Sequence, residues 1–188
     1  MQMLIEILGL FFGILYILSM VKEKWYSWPF GLLAVGFYAI SCYHYNLIGE
    51  LFLQLIYAII ALYGWFKWRN NSHKHFTISK LSKFQYIYAI LGAILITLRS
   101  YSILTKIGSS LPVLDAITNG FAIVATFLAA RKKIDNWLFW IPINALTVWM
   151  MLTKGMPFYA VLYFCYWTFA LFGYYQWYLK LNKPSATH

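Results

Sequence analysis

The stretch Trp137-Leu-Phe-Trp140-Ile-Pro142-Ile-Asn144 places two indoles, a proline and a carboxamide at the mouth of an apolar helix. In helical register Trp137, Trp140 and Asn144 stand at i, i+3 and i+7 and share one face. A water-soluble core gains little from an amide on the stripe of two tryptophans, whereas a pocket for a flat polar ring does. The spacing recurs about 112 residues earlier in Trp25-Tyr-Ser-Trp28-Pro29, which again opens an apolar segment. Internal repetition of this kind bears on the architecture of the whole chain.

The chain has 188 residues, of which 62% are hydrophobic, 21% aromatic and only 11% charged. Water-soluble domains carry about 25% charged residues, so this composition is that of an integral membrane protein. The net charge of +10 does not indicate nucleic acid, because the cations sit in short clusters between apolar runs and form no basic face. Cys42 and Cys165 each lie alone in an apolar run. They read as packing residues, and no disulfide, metal site or cofactor is expected.

Apolar segments near the ~20 residues needed to cross a bilayer fall at about 3–21, 28–45, 48–68, 84–105, 112–130, 137–153 and 156–180. The fold class expected is therefore all-α, with seven transmembrane helices. The first segment contains Glu6 and is followed too soon by a second span to read as a cleaved signal peptide. Residues 69–83, RNNSHKHFTISKLSK, form the one extended polar connection. The expected division is a first three-helix unit over 1–68, a loop and linker helix over 69–111, and a second three-helix unit with a short tail over 112–188.

Lysine and arginine fix the expected orientation. In a seven-span arrangement Lys22, Lys24, Lys67, Arg69, Lys74, Lys80, Lys83, Arg131, Lys132, Lys133, Lys180 and Lys183 share one side, and Arg99, Lys106 and Lys154 the other. Twelve against three predicts a cytoplasmic C-terminus and an outer N-terminus.

Laid on one another, spans one to three and five to seven show the repeat along their length. Trp25 and Trp28 are matched with Trp137 and Trp140; Gln54, Tyr57, Gly64 and Trp68 are matched with Tyr163, Tyr166, Gly173 and Trp177 at an offset of 109. Three spans, one inverting linker and three spans give parallel repeats, an architecture of transporters with the substrate site at the repeat interface.

Polar groups within spans are costly and face a cavity or a partner helix by default. On span three Glu50, Gln54 and Tyr57 form one stripe at i, i+4 and i+7; span five opens with Asp115 and Asn119 at i and i+4; span seven carries Tyr159, Tyr163, Tyr166 and Trp167. With Trp137, Trp140 and Asn144 they describe aromatic walls bearing amide and carboxylate partners, suited to a polar, ring-containing, cationic solute. Plainer roles stand beside these: Trp25, Trp28 and Trp137 as interfacial belt residues, Glu6, Glu50 and Asp115 as helix-start carboxylates favoured by the dipole, and Gln54 and Asn144 as interhelical contacts. His44, His73, His75 and His188 receive no role.

Pro112-Val-Leu-Asp115-Ala116, the run FLAARKKIDNWLFW over 127–140, the Asn144 that comes after it, and the paired Gly-x-x-x-Trp endings at Gly64 and Trp68 and at Gly173 and Trp177 together resemble the PnuC family of bacterial vitamin transporters. The resemblance covers nearly the whole chain and is strongest over 112–177. It implies a seven-helix 3+1+3 fold similar to that of the SWEET sugar transporters, placed in the bacterial inner membrane. It also implies uptake of nicotinamide riboside, with thiamine or riboflavin as alternatives carried by relatives, driven by trapping of the phosphorylated solute inside the cell. Carried over by motif, Trp137, Trp140, Asn144, Gln54 and Tyr57 line the substrate site. The partners are then a small vitamin or nucleoside and the lipid bilayer, with no nucleic acid; a homo-oligomer is compatible with this reading. An enzyme would require a nucleophile with its base, or a phosphate-binding loop, and the Gly31 to Gly36 spacing lacks the Lys and Ser/Thr of one.

Overall fold

Seven apolar runs become seven helices: α1 (Gln2–Val21), α2 (Ser27–His44), α3 (Ile48–Asn70), α4 (Lys83–Lys106), α5 (Pro112–Ala130), α6 (Asp135–Thr153) and α7 (Pro157–Leu181). The computed structural model describes residues 2–44, 48–70, 76–108, 111–153, 155 and 157–183, without the side chains of 48–50 and 157–159. The proposed roles of the Glu50 and Tyr159 side chains, and the positions of His73, Lys74, His75, Lys154 and His188, lie outside the described residues. Among these helices α1, α4, α5 and the 51–70 part of α3 are by themselves long and apolar enough to cross a membrane. The other three carry the tryptophans, tyrosines and amides that lower mean hydropathy.

Local chemistry sets several boundaries. Ser82 caps α4 in a reciprocal box, its hydroxyl accepting from the Gln85 N–H at 3.3 Å while the Gln85 amide oxygen accepts from the Ser82 N–H at 3.1 Å. Pro112 opens α5 at its first turn, where a missing N–H costs nothing. Pro142 lies inside α6 and removes the bond that the Leu138 carbonyl would receive, yet the helix continues to Thr153.

Packing closes six helices into a ring. Helix α2 packs between α1 and α3, α6 between α5 and α7, and the halves meet where α3 touches α5 and where α1 touches α7. Helix α4 stands outside the ring against α5. It approaches closely because Ala93 and Ala116 are fully buried and Gly120 leaves no room for a side chain: a Cβ there would stand 2.7 Å from the Ala93 carbonyl oxygen. Small residues at this spacing let two backbones meet in lipid, where burying apolar surface supplies no driving force.

A single offset of 109 relates the two halves, which corrects the expected pairing of the Trp motifs. Trp28 corresponds to Trp137, Trp25 to Ile134, and Trp140 to Gly31. The hydrogen bonds establish this register. After α1, the Glu23 N–H donates to the Met20 carbonyl at 2.9 Å and the Lys24 N–H to the Ser19 carbonyl at 3.0 Å; after α5, Lys132 donates to Ala129 at 2.9 Å and Lys133 to Leu128 at 3.0 Å. Each set is a Schellman turn. In each the residue at the left-handed position is charged, Glu23 at φ 54° and Lys132 at φ 52°. Glycine usually occupies that conformation because a Cβ is disfavoured there.

The Gly-x-x-x-Trp endings acquire a physical reason from the same register. A Cβ on Gly173 would stand 2.7 Å from the Trp137 ring, and one on Gly64 would collide with Trp28. The tryptophan one turn later meets the same ring edge-on, Trp177 against Trp137 at 5.5 Å and Trp68 against Trp28 at 5.6 Å between centroids. Trp68 and Trp177 then meet each other at 6.4 Å. Four buried indoles thus run from one half to the other at the end of the molecule where Lys22, Lys24, Lys67, Arg69, Arg131, Lys132, Lys133 and Lys180 gather, here called the basic end.

Candidate functional site

The polar residues singled out in the sequence separate into three places. The first is the interior face of α3 and α6. Gln54 on α3 and Asn144 on α6 are 6% and 4% exposed. No hydrogen bond to either amide occurs among the described residues. Neither amide is among the side-chain groups that the protein encloses without a partner, so both keep polar atoms open to the interior space. Each has an aromatic neighbour about one turn nearer the basic end, Tyr57 on α3 and Trp140 on α6. Both rings are partly buried and pack on one apolar cluster, formed by Ala122, Ala125, Leu128, Phe139 and Ile143. Trp140 also touches the cluster that contains the four indoles. The structure thus brings Tyr57 and Trp140 together on common ground, each with an unpaired amide about one helical turn beyond it.

Trp137 occupies a different setting from Trp140. Its ring is 1% exposed, laid over Gly173 and against the edge of Trp177, and its indole N–H has no partner among the described residues. Trp28 has the same burial and the same unpartnered N–H in the other half. The recurrence makes these two rings parts of the packing between helices.

The second place is the far end of α5. Asp115 lies in the first turn of α5, where the helix dipole favours a carboxylate, and the Thr118 hydroxyl donates to its carbonyl at 3.0 Å. Asn119, one turn on, lines a lateral groove of about 340 Å³ between α3, α4 and α5 with Phe52, Leu53, Ile56, Leu95 and Arg99. The third place is the middle of α7. Tyr163 meets Tyr166 edge-on at 5.9 Å, and the Tyr166 hydroxyl lies 3.0 Å from where a Cβ on Gly13 of α1 would be. Trp167 stacks on Phe164 at 5.8 Å, and Phe164 is largely exposed. These rings belong to the contact of α7 with α1 and to its outer surface.

Sequence reasoning gathered the cations of the basic end on one side but missed the contacts they make. The two left-handed residues pair with each other: the Lys132 ammonium is 3.3 Å from the Glu23 carboxylate, which also meets Lys180 at 2.8 Å. The Trp68 indole N–H donates to the Ala130 carbonyl at 3.0 Å and the Trp177 N–H to the Val21 carbonyl at 3.1 Å. Both acceptors are last-turn carbonyls that a helix leaves without an internal donor. Residues 76–82 lie across the α5–α6 turn: Ser79 exchanges backbone bonds with Lys132 and Ile134, the Asp135 carboxylate accepts from the Leu81 N–H at 2.7 Å, and Lys132 donates to the Phe76 carbonyl at 3.1 Å. The available signal was the offset of 109, which sets Glu23 opposite Lys132; matching the Trp-x-x-Trp motifs instead hid it.

Known proteins resemble the chain over nearly all of its length. It is 27% identical to the nicotinamide riboside transporter PnuC of Neisseria mucosa over 193 aligned positions, covering 93% of this chain and 72% of that protein. The riboflavin/roseoflavin transporter RibM of Streptomyces davaonensis is 24% identical, over 96% of this chain and 87% of its own. The structure also superimposes on a crystal structure of the vitamin B3 transporter PnuC with a TM-score of 0.77 and 26% identity, covering 96% of this chain and 83% of that one. The family model of the nicotinamide mononucleotide transporters matches residues 3–179, so the chain belongs to that family of membrane transporters.

Proposed function

We propose that the protein carries nicotinamide riboside across the bacterial inner membrane by facilitated diffusion, with intracellular phosphorylation trapping the solute. One observation carries this most directly: Gln54 and Asn144 are buried residues whose amides make no hydrogen bond among the described residues and keep open polar atoms, each beside an aromatic ring that packs on the same cluster. A pyridinium ring bearing a carboxamide and a ribose offers those rings a cationic face and those amides hydrogen-bond partners. Trp140 stacks on the ring, Asn144 and Gln54 bind polar substituents, and Tyr57 completes the wall. Trp137 supports Trp140 from behind. We assign Asp115, Asn119, Tyr163 and Trp167 no contact with the solute.

The architecture proposed is a 3+1+3 arrangement of parallel repeats, SWEET-like in plan, with units over 1–68 and 112–188 joined by α4. The shared turns, the recurrent Gly-Trp packing and the equivalent α3–α5 and α1–α7 contacts support it. Twelve lysines and arginines at one side against three at the other support a cytoplasmic basic end and an outer N-terminus. The relatives named for nicotinamide riboside favour that solute, and the one named for riboflavin makes riboflavin the second reading; thiamine stands as a further alternative.

Purified protein tested by calorimetry against nicotinamide riboside, riboflavin and thiamine decides the solute. In liposomes, labelled nicotinamide riboside should equilibrate and show counterflow without accumulating under a proton or sodium gradient. Accumulation lost on Asp115→Asn would replace facilitated diffusion with ion coupling.

A further inference from the structure

The interlocked turns at the basic end have no part in holding a solute, yet they join the two halves of the ring. We propose that Glu23 and Lys132 form a latch that shuts the passage at this end, and that opening it is the conformational step by which solute leaves or enters there. The proposal rests on the transport reading but not on which solute is carried.

The geometry points to the latch in three ways. Both residues sit at the left-handed position of a Schellman turn, φ 54° and 52°, where glycine is the ordinary choice. Keeping a charged side chain in that conformation at both equivalent sites is explained by what the side chains do, which is to meet each other at 3.3 Å with only 15% and 14% of their surface exposed. Lys132 is further held by the face of Trp68 at 4.9 Å and by the Phe76 carbonyl, and Glu23 by Lys180. Beneath the pair, Trp68 and Trp177 hand their indole N–H groups to carbonyls of the opposite half.

Apart from the bond to Phe76, each of these links crosses between the α1–α3 and α5–α7 halves, and a solute moving between the halves at this end has to part them. They are also suited to parting. The pair and the indole bonds are buried in the closed arrangement, and water entering the opened passage takes up the carboxylate, the ammonium and the helix-end carbonyls, which offsets the bonds broken. Such a near balance is what a two-state element requires. Glu23 is the single carboxylate in the latch; its removal leaves Lys132 and Lys180 facing each other unscreened.

The test reads accessibility and not transport. Ala170 on α7 is fully buried two turns inward from Trp177, so Ala170→Cys, with Cys42 and Cys165 replaced by alanine, reports passage of a membrane-impermeant maleimide through the basic end in nanodiscs. Glu23→Gln and Lys132→Gln should each raise the labelling rate about fivefold to thirtyfold, and the double variant should rise no further than the larger single effect. Glu23→Gly suits the turn at least as well as glutamate and keeps the fold, so it separates the side chain from the backbone; it should speed labelling as Glu23→Gln does. Ala61→Cys, the equivalent probe in the other half, should respond in parallel. Unchanged rates in Glu23→Gln and Glu23→Gly, or effects that multiply in the double variant, would overturn the latch while leaving the transport reading untouched.

Discussion

The two halves of the ring share their turns and their tryptophan packing but differ in what they place at the interior. At the offset of 109, Trp140 corresponds to Gly31 and Asn144 to Val35, while Tyr16 corresponds to Ala125. In the first half the Tyr16 ring fills the space over Gly31, where a Cβ would stand 2.9 Å from it; in the second, Trp140 supplies the ring and packs on the cluster that contains Ala125. Bulk has moved from one helix to its neighbour, and the Trp140 indole and Asn144 amide have no counterpart at Gly31 and Val35; the inward amide of the first half, Gln54, comes from α3 instead. The same division appears outside: Ala116 and Gly120 of α5 receive α4, whereas their counterparts Ile7 and Phe11 of α1 are 52% and 54% exposed. Symmetric parts build the ring, and asymmetric parts build the candidate site and the attachment of α4.

That comparison breaks first at the indoles. Trp28→Ala and Trp137→Ala should each cost about 3–5 kcal/mol of stability, equally in the two halves, as read by thermal melting in one detergent. A large effect at Trp137 with none at Trp28 would make Trp137 a binding residue after all. Next come the glycines under those rings. Gly64→Ala and Gly173→Ala should each cost about 1–3 kcal/mol by overpacking, again as a matched pair.

Recognition sharpens the contrast, because there the halves should part company. Asn144→Ala and Gln54→Ala should weaken solute binding by about 1–3 kcal/mol, roughly fivefold to 150-fold, in calorimetry, with melting little changed because neither amide makes a hydrogen bond among the described residues. Val35→Ala, at the position equivalent to Asn144, should leave affinity unaltered. The smallest effect belongs to the outer face of α1. Phe11→Leu should shift stability by less than about 0.5 kcal/mol, while Gly120→Leu at the matching site should detach α4 and lower the melting temperature clearly. Equal responses at the two positions would mean that α1 has a partner helix of its own.

The sequence by itself determined the helices. Seven apolar runs specify the seven helices, since backbone groups in hydrocarbon must be paired within a helix, and each expected run lies within a few residues of the observed helix. It also determined the family, through the spacing of Trp137, Trp140 and Asn144 and the two Gly-x-x-x-Trp endings. What only the tertiary structure decided is which of those residues meet. Trp137 and Trp140 are three residues apart on one helix, yet one is spent against Gly173 and the other is left at the edge of two clusters, because the facing helix offers a glycine to the first alone. Asn119 has the composition of a site residue and lies in a lateral groove because α4 packs beside it. Glu23 and Lys132 are 109 residues apart and read as ordinary loop charges. They become one ion pair only when two turns of identical geometry are brought face to face, and no periodicity within either segment encodes that meeting.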